Sequence, residues 1–161
     1  MRSVLLVILT VILFSCDSES VYHKYESLSG AWEIDTPVSF DIKEIDSIQP
    51  HNVFITLRND NRYPYSNLFL ITEMQFPQGR TLTDTLEYVM AAPSGEWLGT
   101  GFGDIKENKL VYKEGVRFNE EGTYKFTVQH AVRKNGNISG DKSLQGITEV
   151  GIRIEKQDKS K

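Results

Sequence analysis

The chain has 161 residues, with 18 Lys and Arg against 22 Asp and Glu, a formal net charge of −4 and a single cysteine, Cys16. Its basic residues are scattered among acids, which argues against nucleic acid as a partner, because phosphate neutralisation needs a clustered basic footprint. One cysteine excludes an intrachain disulfide, so a single domain of this size must draw its stability from apolar burial, covering roughly 68–70% of its unfolded surface.

After Met1 come Arg2, an apolar run over 4–14 broken only by Thr10, and the small residue Ser15 just before Cys16. These are the three parts of an export signal with its cleavage point, and the run is shorter than the ~20 apolar residues needed to span a bilayer. A cysteine in this place resembles the lipobox of bacterial lipoproteins, in which the thiol takes a diacylglyceryl group, the preceding peptide is cut and the new amino terminus is acylated. The resemblance makes residues 1–15 a removed signal peptide and Cys16 the lipidated residue, the covalent lipid being the one attached group expected and the membrane the first partner. Two or three acyl chains, at about 0.8 kcal/mol per buried CH₂, hold where one is marginal.

Residues 16–29 are polar and aromatic without a clear period and read as a lipidated tether. From residue 30 to 156 period-two patterns dominate. Residues 38–43 (VSFDIK) alternate apolar and polar; Val53, Ile55 and Leu57 share one face of the next run, opposite Phe54, Thr56 and Arg58; 68–76 (LFLITEMQF) follows a Tyr-Pro-Tyr-Ser-Asn corner and closes on Pro77-Gln78-Gly79. The runs around Val53 and Leu68 are expected to pair as antiparallel neighbours. Further strands are expected over 81–90, 110–118, 123–133 and 147–155, with Tyr124, Phe126, Val128 and His130 in one inward row and Val150, Ile152 and Ile154 in another. Asn119-Glu120-Glu121-Gly122 and Asn135-Gly136-Asn137 read as hairpin-type connections. With no helical period outside the signal, the expectation is an all-β fold: a single antiparallel β-sandwich of seven or eight strands, immunoglobulin-like or jelly-roll. Residues 157–161 read as a frayed polar tail.

Catalytic signatures are missing from the sequence. His23, His51 and His130 are isolated, with no pair at metal-ligand spacing, so no metal and no catalytic residue is expected. Acid pairs such as Asp84 with Glu87, or Asp104 with Glu107, are ordinary at this composition and would serve glycoside hydrolysis only if two converged across a cleft. Gly99-Thr100-Gly101-Phe102-Gly103-Asp104 misses the spacing of a phosphate loop and reads as a long Gly-rich connection, where function concentrates in a domain otherwise built of tight turns. Trp97 in that connection, and Tyr63 and Tyr65 in the earlier corner, are the candidate contact residues. They suit either a protein partner or a glycan, whose CH groups stack on rings while polar side chains read the hydroxyls; covering the core edge is the structural alternative for each.

The same segments carry a likeness. Residues 61–70 (NRYPYSNLFL), 84–88 (DTLEY), 95–101 (GEWLGTG) with Lys106-Glu107-Asn108, and Gln145-Gly146-Ile147 through Val150-Gly151 resemble the gliding-motility lipoprotein GldH family of Bacteroidetes, from Cys16 to about Lys156. The resemblance implies a non-enzymatic envelope lipoprotein of the surface-gliding apparatus, tied to type IX secretion, with other envelope motility or secretion proteins as partners. Only Cys16 carries over with a defined chemical role. The outer membrane is favoured over the inner, with the periplasmic and surface faces both open. Asp46-Ser47-Ile48 and Asp84-Thr85-Leu86 look like the O-glycosylation acceptor of that bacterial group, which makes Ser47 and Thr85 candidate glycan-bearing residues.

Overall fold

A computed structural model describes residues 20–134, 136 and 139–157. The expected signal peptide, the lipidation residue Cys16, Asn135, Asn137 and residues 158–161 lie outside the described residues. The described chain is all β: β1 (Ser20–Ser27), β2 (Ala31–Glu33), β3 (Val38–Ile42), β4 (His51–Asn59), β5 (Asn67–Gln75), β6 (Thr81–Val89), β7 (Lys106–Val116), β8 (Tyr124–His130), β9 (Ser143–Gln145) and β10 (Ile147–Lys156). Three strands go beyond the seven runs read from the pattern: the short pair β2 and β9, and β1, which lies in what the sequence presents as a tether. β1 pairs in antiparallel register with β10 along its length, from Ser20↔Glu155 to Ser27↔Glu149.

Two four-stranded antiparallel sheets form the sandwich, in the orders β1-β10-β4-β7 and β3-β8-β5-β6, with β2-β9 as a small third sheet. With that short pair set aside, the eight long strands follow jelly-roll order, which decides between the two topologies that the pattern leaves open. The expected β4–β5 pairing is corrected by this arrangement: β4 lies between β10 and β7, and β5 between β8 and β6. Connections 60–66 and 117–123 likewise cross from one sheet to the other rather than closing hairpins, and β8 is followed in the chain by β9 of the small third sheet. Alternation reports which face of a strand is buried, not which strand lies beside it. Of the connections between long strands, 76–80 joins neighbours, β5 and β6.

The inward rows meet in one core. Val53, Ile55 and Leu57 of β4 and Val150, Ile152 and Ile154 of β10 face Phe126 and Val128 of β8 and Leu68 and Leu70 of β5, all of them buried. His130 ends its row with Nε2 at 2.9 Å from the Trp32 carbonyl oxygen and its ring edge-on to the Trp32 indole. The opposite face of the β1 sheet is also covered. Tyr25 pairs with Gly151, and Gly151 with Thr56; a Cβ on Gly151 would meet Thr56 Oγ1 at 2.5 Å and Tyr25 Cδ1 at 2.7 Å, so the missing side chain is what lets the tyrosine ring lie across the sheet. Arg58 then sits over Tyr25, 4.6 Å from the ring centre, and its guanidinium joins Glu107 at 3.0 Å and Glu149 at 2.5 Å.

The strand directions sort the connections into two ends. One end gathers 43–50, 76–80 and 117–123, together with Ser20 and the Gln157 amide, which donates to Pro50 O at 3.0 Å. Gln157, read from the sequence as the start of a frayed tail, is therefore tied to the fold. The other end gathers 28–37, 60–66, 90–105 and 131–146.

Candidate functional site

The second end holds Tyr63, Tyr65 and Trp97, and the fold brings them together although they arise from two connections. Residues 60–63 form a tight turn: Asp60 Oδ1 accepts from the Arg62 amide at 2.8 Å, and the Tyr63 amide donates to Asp60 O at 3.2 Å. Asp60 also holds the Arg62 guanidinium, with Nη2 at 2.7 Å, and that partner lowers the carboxyl below its ordinary range. The turn drives Tyr63 inward, where its hydroxyl donates to Asn67 O at 2.7 Å and burial pushes its pKa well up. Tyr65 packs on it at 5.9 Å between ring centres and Trp97 at 6.0 Å.

Tyr63 is only 3% exposed. Its reading as a contact residue is corrected: it is the base on which the other two rings rest. Tyr65 is half-buried and spends its hydroxyl on Asp141 Oδ2 at 2.8 Å; burial and this carboxylate both raise its pKa. Trp97 is half-buried, its indole donating from Nε1 to Asn61 Oδ1 at 3.1 Å. Asn61 then turns its amide to Asp104 Oδ1 at 2.9 Å and so fastens the 60–66 and 90–105 connections together. The rings meet edge-on or tilted rather than stacked face to face.

The exposed feature is one that the sequence reading treats only as part of a Gly-rich loop. Phe102 is fully exposed, and Leu98 and Ile105 of the same connection are more than half exposed. Val89 at the end of β6 and Val111 on β7 add apolar surface on the flanking strands. The loop beneath Phe102 is pinned: Thr100 and Glu107 exchange backbone hydrogen bonds at 2.8 and 2.7 Å, and Lys106 Nζ donates to Gly101 O at 2.8 Å. Glycine is required beside the ring, since Gly101 and Gly103 have φ of 139° and 72°. The signal that would have found Phe102 is Gly-Phe-Gly itself, a large apolar residue between two positions of free backbone.

The acid pairs are engaged with other groups. Asp84 takes Lys113 Nζ at 3.0 Å and the Tyr112 hydroxyl at 2.9 Å; burial works to raise its pKa and these two partners outweigh it, leaving the group lowered. Glu87 accepts from Asn67 Nδ2 at 2.9 Å, Glu107 pairs with Arg58 and Asp104 with Asn61. No group of three or more His, Cys, Asp or Glu suited to a metal ion occurs among the described residues. Of the candidate glycan positions, Ser47 is exposed in the 43–50 connection and Thr85 is exposed on the outer face of edge strand β6.

These features describe a jelly-roll domain with one rigid, apolar-tipped loop end. The GldH lipoprotein family model matches residues 20–154. A protein of Christiangramia forsetii named "Gliding motility lipoprotein GldH homolog" is 56% identical, over 97% of this chain and 96% of its own length. "Gliding motility lipoprotein GldH" of Flavobacterium johnsoniae is 48% identical, over 98% of each. The chain belongs to the GldH lipoprotein family, whose members are lipid-anchored in the cell envelope. Among solved structures, the VP2 subviral particle of infectious bursal disease virus matches 87% of this chain at 17% identity with a TM-score of 0.39, and the Gt strain of that virus matches 88% at 18% identity with a TM-score of 0.34. This chain covers about a third of either one, 34% and 33%, a likeness too slight to bear on function.

Proposed function

We propose that the protein is a non-enzymatic, lipid-anchored component of the gliding-motility and type IX secretion envelope machinery, held to the membrane through Cys16 and meeting protein partners through its four-loop end. Kinship with relatives named for gliding motility supports the setting. The observation that carries the contact role is Phe102. A fully exposed aromatic ring on a loop fastened at Thr100, Asp104 and Lys106 gains nothing for the fold, whereas a preformed aromatic anchor loses little freedom when a partner covers it. The outer membrane is the favoured location.

The test is cross-linking in cells of the full-length lipidated chain, followed by pull-down and mass spectrometry, with Cys16→Ala as control. Other motility or type IX secretion envelope proteins are expected with the wild type and lost in the control. Recovery of this protein alone contradicts the reading.

A further inference from the structure

β1 starts only four positions after Cys16, and this fixes which end of the sandwich lies near an anchor. Ser20 pairs with Glu155, His51 pairs with Lys156, and His51 pairs with Val116 on its other side. The start of β1, the end of β10 and the 43–50 and 117–123 connections therefore share one end. The four-loop end with Trp97 and Phe102 is at the other, separated by strands such as the ten-residue β10, or ~33 Å at about 3.3 Å per residue. Four residue steps from Cys16 to Ser20 reach at most ~14 Å when fully extended, which is too short for the domain to turn over.

Among the described residues of the near end, the most exposed large apolar side chain is Ile48, with Val21 at the start of β1 less so. Ile48 is 79% exposed, yet its backbone is held from both sides: its amide donates to Asp46 Oδ1 at 2.9 Å, and Arg117 Nη1 donates to its carbonyl oxygen at 2.5 Å. Around it the end carries both signs, Lys43, Arg80, Arg117 and Lys156 against Glu44, Asp46, Glu120 and Glu121. A cleft of about 530 Å³ between the 43–50 and 117–123 connections is lined by Glu44, Glu120 and Glu121 with Lys43. That balance gives no basic attraction to anionic headgroups, so contact comes from the short tether and from apolar insertion at the headgroup boundary.

We propose that the lipidated protein stands end-on at its membrane, with Ile48 seated on the phospholipid surface and the Phe102 end presented away from it. The inference rests on Cys16 as the lipid-bearing residue. Because Cys16 is the single cysteine and lipidation consumes its thiol, Ile48→Cys or Phe102→Cys offers one labelling site in the full chain. Each variant is purified in lipidated form, labelled with an environment-sensitive fluorophore and reconstituted in phosphatidylethanolamine–phosphatidylglycerol vesicles with brominated acyl chains. Quenching several-fold stronger at position 48 than at 102, and little changed when phosphatidylglycerol is left out, is the expected result. Equal quenching, or stronger quenching at 102, in protein that floats with the vesicles overturns the orientation alone. Protein that fails to float overturns the anchor and the orientation together. A glycan on Ser47 of the native protein, seen as added intact mass, would also overturn it, since the sugar would hold Ile48 off the lipid.

Discussion

Gly146 and Tyr63 touch backbone to backbone: a Cβ on Gly146 would fall 2.5 Å from the Tyr63 Cα, and Gly146 sits at φ +81°. The contact joins the 131–146 and 60–66 connections, and the Asp60 amide adds a hydrogen bond to Gly146 O at 2.8 Å. The aromatic base of the loop end depends on this approach.

Gly146→Ala therefore combines a backbone clash with a left-handed conformation that side chains resist. A loss of about 3 kcal/mol or more is expected, read as a lower urea midpoint. By contrast Gly136→Ala, where φ is also positive but open space surrounds the Cα, should cost only ~1 kcal/mol.

Tyr63→Phe keeps the ring contacts with Tyr65 and Trp97 and removes the hydroxyl that donates to Asn67 O. The expected cost is about 1 kcal/mol, with Trp97 fluorescence unchanged in the native state. Tyr63→Ala removes the base itself and should cost ~3–5 kcal/mol and shift that fluorescence to the red.

Acid should weaken the fold before its carboxylates titrate. His51 and His130 are both buried, and burial lowers each from the ordinary 6.5, partly offset by Asp46 and the Gln49 backbone for His51 and by the Trp32 carbonyl for His130. A lowered histidine binds its proton more readily in the unfolded chain, so this contribution is complete above about pH 6.5 and is lost as pH falls below it. Asp60, Asp84 and Glu155, all lowered, add a second loss as pH falls from the ordinary carboxylate range through their lowered values. Urea midpoints should decline as pH falls below about 6.5, before the carboxylate range is reached, and His51→Gln with His130→Gln should flatten that part of the curve.

Burial was legible in the sequence wherever one strand face is dry. The rows of Val53, of Tyr124 and of Val150 read directly because apolar and polar side chains alternate there. β1 did not read as a strand because it is an edge whose inner face is mostly wet: Tyr22 packs against the core, but Lys24 and Glu26, on the side of Ile152 and Val150, remain in water and pair with each other at 2.8 Å. Strand neighbours were not legible at all, since nothing in the Tyr63 to Asn67 corner says that the chain changes sheets there. The candidate site was half legible. Tyr63, Tyr65 and Trp97 stood out as aromatic, but burial turns the first into a foundation. Phe102 did not stand out because the Gly-rich connection marks a loop where function concentrates without saying which of its side chains stands in water.

The most direct test of the account compares the envelope proteins cross-linked to the wild-type chain with those cross-linked to Phe102→Ser. An exposed substitution of this kind should leave stability within about 0.5 kcal/mol and membrane association unchanged. The account predicts that the cross-linked partners disappear under those conditions. An identical set of partners in wild type and variant would contradict it.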